Sequence, residues 1–423
     1  MRLPPDLPTV MEEAHRERLA IARPEIRDDV LYVGVVSDAA ARWHVFHVLH
    51  RLPEALVTDH RLIRTSKLDR LSRFYRHIDS SGFWCMKKIG FLSFGHWTAA
   101  RQSAARSARD VLQQSIELAV AAEELGADGA YFRVHHFAQQ LASPFPLLAA
   151  VGARTNRIEI GTAVIDMRYE NPFYMVEDAG AADLISNGRL QLGISRGSPE
   201  QVIEGWRHFG YTPPEGGTDA DLGRRHAEVF LELLKGSGFA RPNPRPMFPN
   251  PPGLLRLEPH SPGLRDRIWW GSASNATAMW TAQHGMNLQS STLKADESGE
   301  PFHVQQARQI RVFRQAWTEA GHTREPRVSV SRSIFALMND LDRAYFGNDE
   351  RSDQVGIIDN MRAVFGRSYA AEPDVLVDEL RGDEAIAEAD TLLLIVPNTL
   401  GVEYNAHVIE SILTHVAPAL GWR

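Results

Sequence analysis

The chain has 423 residues, 43% of them apolar and 23% charged, a balance suited to a packed globular core and not to a disordered or fibrous polymer. Its formal net charge of -7 excludes an overall electrostatic pull toward nucleic acid or an anionic membrane surface. The single cysteine, Cys85, excludes an internal disulfide and a cysteine-based zinc site. No apolar run reaches the roughly 18–20 residues that span a bilayer, and the N-terminus lacks the apolar core of a signal peptide, so a cytoplasmic location is expected.

Residues 1–85 stand apart. They hold six of the 17 histidines and only one lysine. A strand is expected at 31–36 and a short helix at 41–56, with no sustained alternation after them. This N-terminal extension is either an upstream stretch translated from a start codon assigned too early, the preferred reading, or an appendage packed on the domain that follows. No chemistry is placed there.

The main domain, 86–423, opens with Met86, Lys87, Lys88 and a first strand over 89–94. A helix follows over 111–125, stopped at Gly126. The second strand, 130–134, ends at His135, His136 and Phe137. A helix over 144–153 leads to the third strand, 158–165, and a helix over 173–185 to the turn Asn187-Gly188. Leu190, Leu192 and Ile194 then alternate as the fourth strand, followed by Ser195, Arg196, Gly197, Ser198 and Pro199, the last suited to the first turn of a helix. The fourth helix is expected over 224–234.

Residues 236–267 are rich in proline and glycine and are too long for an ordinary connection, so they read as a lid or substrate loop. A short strand at 268–270 precedes Gly271, Ser272, Ser274 and Asn275, with a helix to His284. Strands six and seven are expected at 286–290 and 327–338, separated by a helix over 304–320. Residues 339–390 are mostly polar, with helices expected near 355–365 and 375–380. The eighth strand is 391–396, and a helix stacks Tyr404, Val408, Ile412 and Val416. Eight strands, each with a helix after it, point to a (β/α)8 TIM barrel, whose chemistry sits on the loops that follow the strands.

Four strand ends carry candidates. Gly193, Ser195 and Gly197 spell G-x-S-x-G, the turn of a serine nucleophile. That reading also needs an oxyanion loop upstream, which is missing, and Arg196 beside the serine suits an anion better than an acyl substrate. Gly90 and Gly95 do not make the spacing of a dinucleotide fold. His135 and His136 are either one buried and one exposed histidine or a proton donor at the mouth of the barrel; neighbouring side chains diverge, which argues against a shared metal. Gly161 to Val164 is either a tapering core strand or a floor for a flat ring. Ser272, Ser274 and Asn275 offer either ordinary caps or a phosphate cradle at a helix N-terminus.

Taken together these segments resemble the bacterial luciferase-like, flavin-dependent monooxygenase family. The resemblance is carried by residues 86–94, 127–137, 158–164, 182–197 and 270–275, and does not include 1–85. It implies reduced FMN, delivered by a flavin reductase, or alternatively the deazaflavin F420, on the same barrel. It also implies a small organic substrate and a homodimer. By the same resemblance, His135 stands over the reactive part of the flavin and supports the peroxyflavin intermediate. The bond Ala163-Val164 matches a non-proline cis peptide beneath the ring, and Ser195 a small residue near it. Arg196, Ser272 and Asn275 match the groups that hold the phosphate. Val134 stands where many relatives have glutamate, and Gly271 where luciferase has an acidic residue.

Overall fold

The computed structural model describes four strands before residue 87, and then residues 87–197, 201–296, 298–347, 352–358 and 361–423. The chain divides into two compact units, Met1–Phe83 and Trp84–Arg423. In the first, Val30–Val36 pairs antiparallel with Ala20–Ile21, Glu25–Arg27 and Trp43–His47. The strand expected at 31–36 is therefore present. The helix expected at 41–56 is not: Trp43–His47 is a strand, as its aromatic and β-branched residues favour, and the rest of that span lies outside the described residues.

The second unit is a closed barrel of eight parallel strands. In chain order they are β1 (Lys88–Ser93), β2 (Gly129–Phe132), β3 (Glu159–Asp166), β4 (Leu190–Ser195), β5 (Ile268–Ser272), β6 (Asn287–Ser290), β7 (Val328–Arg332) and β8 (Thr391–Val396). Each neighbour pairs with the next, and β8 closes on β1. The helices named below are α1 (Ala108–Glu124), α2 (Pro144–Arg154), α3 (Pro172–Ile185), α4 (Asp219–Leu233), α5 (Asn275–Gln283) and α6 (Phe302–Glu319).

Alternation along the strands makes two apolar layers. Ile89, Phe91, Ala130, Phe132 and Ile160 face outward into the main core shared with the helices. Leu92, Tyr131 and Leu393 face inward, with Phe94, Ala163 and Ile395 packed on them toward the mouth. The opposite end of the barrel is closed by polar groups. Arg327 forks onto Glu159 at 2.9 and 3.0 Å, and the Tyr131 hydroxyl donates to the same carboxylate at 3.3 Å. That end is a plug, and the chemistry is left to the other.

The structure corrects three expectations. Helix α4 begins at Asp219 and not at 224, because Thr218 and Asp221 form a capping box that adds a turn and a half. The strand expected over 327–338 breaks at Ser333; Ile334–Ala336 leaves the barrel and pairs with Tyr369–Ala371. The helix expected at 355–365 is a hairpin of Gln354–Ile358 and Met361–Phe365, whose second strand pairs with Leu293–Ala295. The proline-rich insertion expected over 236–267 is present, between α4 and β5. It runs along the flank of α3, with Phe239 against Phe173 and Ser261 donating to Asp183 at 2.6 Å, and it gives no residue to the lining of the cavity at the mouth.

One buried ion pair holds the region after β7 to the barrel. Arg332 Nε and Nη2 donate to Asp383 at 2.8 and 3.1 Å, with the Tyr369 hydroxyl on the same carboxylate at 2.8 Å. Both charged side chains are shut off from solvent, Arg332 at 2% and Asp383 at 0% exposure. Removing one partner leaves the other charged and dry. Asp383→Ala is expected to cost about 3–5 kcal/mol in urea unfolding, and Arg332→Met with Asp383→Leu together much less.

Candidate active site

The C-terminal ends of the strands enclose a cavity of about 290 Å3. Within the strands alternation governs what faces it, and past their ends consecutive residues line it. On β1 these are Leu92 and Phe94; past β2, the row begun by Tyr131 continues to Arg133 and His135. His136 turns away, its ring stacked on Tyr169 at 4.3 Å and edge-on to Phe209 at 5.0 Å. The two histidines diverge, as neighbouring side chains at a strand end do.

Strand β3 supplies the floor. Its ladder with β4 shifts register between Thr162 and Ile165, which leaves Ala163 and Val164 outside the pairing and facing the cavity. The peptide bond between them is cis. The bulge fits because β4 opposes it with Gly193, where a Cβ would lie 2.2 Å from the Thr162 carbonyl oxygen. That oxygen accepts from Gln289 Nε2 at 3.1 Å, and Thr162 Oγ1 donates to the Gly193 carbonyl at 2.7 Å. The kink is thus paid for by side chains.

At the end of β4, Ser195 Oγ accepts the Gly197 N–H at 2.9 Å, and no histidine bonds to it among the described residues. This is a turn-forming serine, and the nucleophile reading of G-x-S-x-G falls. Arg196 lines the cavity. Gly197 has φ +82°, and a Cβ there would lie 1.9 Å from Asp166 Oδ2, so the turn folds directly onto a buried ion pair. In that pair Arg168 Nε and Nη2 donate to Asp166 at 3.0 and 2.6 Å, while Nη1 reaches Asp219 of α4 at 2.5 Å. The helix start expected at Pro199 lies outside the described residues.

The loop after β5 is placed differently from the sequence reading. Alternation sends Gly271 and Ala273 to the cavity and Ser272 away from it. The Ser272 hydroxyl is buried; it donates to the Ser274 carbonyl at 3.0 Å and accepts from Gln309 Nε2 at 3.2 Å. Asn275 is the first residue of α5, its Oδ1 accepting from Lys294 Nζ at 3.4 Å, and it is not among the lining residues. Ser274, the N-cap of α5, and Thr277 face the cavity in their place. So the structure brings together His135, Ala163, Val164, Ser195 and Arg196, and sets Ser272 and Asn275 behind them as scaffold.

Three residues were missed. Gln309 of α6 also donates to the Ser274 carbonyl at 3.0 Å, and so ties α6 to the cradle. Helix α4 passes so close that a Cβ on Gly223 would lie 3.1 Å from Arg196 Cα. The next residue, Arg224, lies over the Trp280 ring of α5 at 5.7 Å, and its buried Nε has no hydrogen-bond partner among the described residues. Arg133, whose guanidinium sits 4.7 Å over Phe94, is the third, and period-2 counting from Tyr131 could have found it.

Glu170 lies just beyond β3. Burial, with the Asp166 and Asp178 carboxylates, raises its pKa from 4.5 to about 7. His96, near the mouth, is held below its ordinary value by burial, then by Arg133 and His135.

The luciferase-like monooxygenase family profile matches residues 92–345, more than half of the chain. The chain belongs to that family. An uncharacterized protein y4wF of Sinorhizobium fredii is 29% identical over 207 residues, which are 48% of this chain and 56% of that protein. The alkanal monooxygenase alpha chain of Photobacterium leiognathi is 36% identical over 135 residues, 31% of this chain and 35% of its own length. The chain therefore spans about half or less of these two relatives. Among solved structures, the oxygenating constituent of 3,6-diketocamphane monooxygenase from Pseudomonas putida, in complex with FMN, superposes with a TM-score of 0.57 at 18% identity, covering 79% of this chain and 99% of that one. An F420-dependent secondary alcohol dehydrogenase does so at 0.51 and 14%, covering 79% and 99%. At these identities the two structures establish the shared fold. No helix among the described residues is long and apolar enough to cross a membrane.

The Glu170 carboxyl makes a test of the site's packing. Between pH 4.5 and about 7 the folded chain keeps a proton there that the unfolded chain releases. Stability from this group is therefore lost as pH rises through that window. Glu170→Gln is expected to flatten the fall in thermal midpoint between pH 5 and pH 8, and an unchanged slope would refute the assignment.

Proposed function

We propose that this chain is a flavin-dependent monooxygenase that binds reduced FMN at the mouth of the barrel and oxidises a small organic substrate with dioxygen. The observation that carries the reading is the shape of the cavity. A bulged floor at Ala163-Val164 lies between a cationic, helix-N-terminal end at Arg196, Ser274 and Thr277 and a histidine, His135. The donor set fits a phosphate: an arginine, two hydroxyls and the first turn of α5.

When bound, reduced FMN supplies the two electrons with which dioxygen gives one oxygen atom to the substrate and the other to water. The chain's own residues do the rest. Arg196 and the α5 N-terminus anchor the phosphate, with Ser272 and Asn275 shaping the loop that carries them. Ser195 and Gly271 leave room beside Val164 for a flat ring, a Cβ on Gly271 falling 3.0 Å from Val164 Cγ1. Leu92, Phe94 and Leu293 exclude water, which protects the reacting centre. His135 holds or releases a proton at a ring nitrogen facing the cavity.

A separate flavin reductase supplies the reduced cofactor in this reading. The exposed Phe173, Tyr174, Leu184 and Ile185 on α3 support assembly as a homodimer. The rival cofactor is reduced F420, which would transfer hydride without oxygen on the same barrel. Oxygen uptake measured with each reduced cofactor separates the two: uptake with reduced FMN is expected, and turnover only with reduced F420 would overturn the choice. Arg196→Ala is expected to weaken FMN binding about 10- to 100-fold in a fluorescence titration, and an unchanged affinity would remove Arg196 from the seat.

A further inference from the structure

We propose that Ser331 reads the polar edge of the cofactor ring: its hydroxyl is the hydrogen-bond partner of the ring's imide, and so fixes which end of the ring enters the barrel. The inference rests on the flavin reading above and adds a positioning residue that no motif of the chain marks.

Strand β7 has a polar inner face. Val328 and Val330 point outward into the main core, so Ser329 and Ser331 point into the barrel, where branched apolar residues are the rule. On the neighbouring β6, Leu288 points outward and Gln289 inward, and Gln289 lies beside Ser329 in the ladder. Ser331 is 9% exposed and lines the cavity. Its carbonyl accepts from Arg332 Nη1 at 3.0 Å, but its hydroxyl has no hydrogen-bond partner among the described residues. Gln289, 5% exposed, lines the same wall; its Nε2 donates to the Thr162 carbonyl, and its buried Oε1 has no partner among the described residues either.

The other hydroxyls that line the cavity are engaged or open to water. Ser195 Oγ accepts from Gly197, Ser274 Oγ donates to Thr277 Oγ1, Ser290 Oγ donates to Gln309 Oε1, and Ser291 Oγ accepts the Leu293 N–H. Thr292 is only partly buried. Beyond Ser331 the polar wall stops: Leu393 lies beside it in the ladder, and the inner side chains of β8 and β1 are Leu393, Ile395 and Leu92. A flat ring with one polar and one apolar end is matched at both only when the polar end meets the β6–β7 wall. A nearly closed serine without a partner carries a desolvation cost that a ligand offering both a donor and an acceptor offsets. The imide edge of an isoalloxazine offers both, and a serine hydroxyl can accept its N–H or donate to its carbonyl. A deazaflavin carries the same edge, so this wall recognises the ring system that the two cofactors share.

The test titrates the full chain with FMN and with 3-methyl-FMN, in which a methyl group replaces the imide proton, read by flavin fluorescence. The wild type is expected to bind FMN at least about 10-fold more tightly than the methylated form. Ser331→Ala removes the acceptor and leaves room for the methyl group, so the two affinities come within about twofold of each other. Arg196→Ala weakens both flavins and keeps the wild-type ratio. No protein group loses a partner in Ser331→Ala, so the thermal midpoint of the chain without flavin is expected to stay where it was or rise. Equal binding of the two flavins by the wild type, or a ratio that survives Ser331→Ala, overturns the proposal. F420 is titrated alongside. If it binds and FMN does not, weaker F420 binding in Ser331→Ala keeps the edge contact and moves it to the deazaflavin, whereas unchanged binding overturns it. A wild type that binds neither cofactor removes the flavin reading, and this inference with it.

Discussion

The arrangement of the mouth depends on the buried guanidinium of Arg168. It is held between Asp166 at the end of β3 and Asp219 in the first turn of α4, and the Gly197 turn after β4 is folded against it. Three elements distant in sequence are joined by one charged group that cannot be moved without exposing a dry carboxylate. Arg196 is presented to the cavity from the turn this network supports, and α4 packs Gly223 against its backbone. The network also neutralises Asp166, which would otherwise repel an anion from the cavity.

The floor rests on a second, milder constraint. A bulge in the ladder between β3 and β4 needs a partner strand that gives way, and Gly193 does so, while Gln289 and Thr162 satisfy the carbonyls that the shift disturbs. Around this floor the cavity has unlike sides. One is a rigid cradle in which Gln309 ties α6 to the loop before α5. The other is a row of inward-facing side chains, Phe94, Arg133 and His135, whose identities set what can approach.

Much of the fold could be read from the chain. Most strands of the barrel are short apolar or alternating runs and most of the helices carry an apolar stripe, so the count of eight was available from periodicity. The cis bond at Ala163-Val164, expected from resemblance, is present in the structure. The errors fall where local preference was overruled. Residues 355–365 looked helical but form a hairpin, because Leu293–Ala295 offers them an edge to pair with.

Within the site, the sequence by itself determined which strand ends stand around the cavity: the positions of His135, Ala163-Val164, Ser195-Arg196 and the loop that begins at Gly271 follow from strand counting and spacing. It did not determine which side chains of those loops face the cavity. Only the tertiary structure decided that, because facing depends on the phase of each strand's alternation relative to the closed barrel. It turned Ser272 to Gln309, gave the mouth to Ser274 and Thr277, and brought in Arg133. Contacts between residues far apart in the chain, such as Arg168 with Asp219 or Gly223 with Arg196, leave no periodic trace to read.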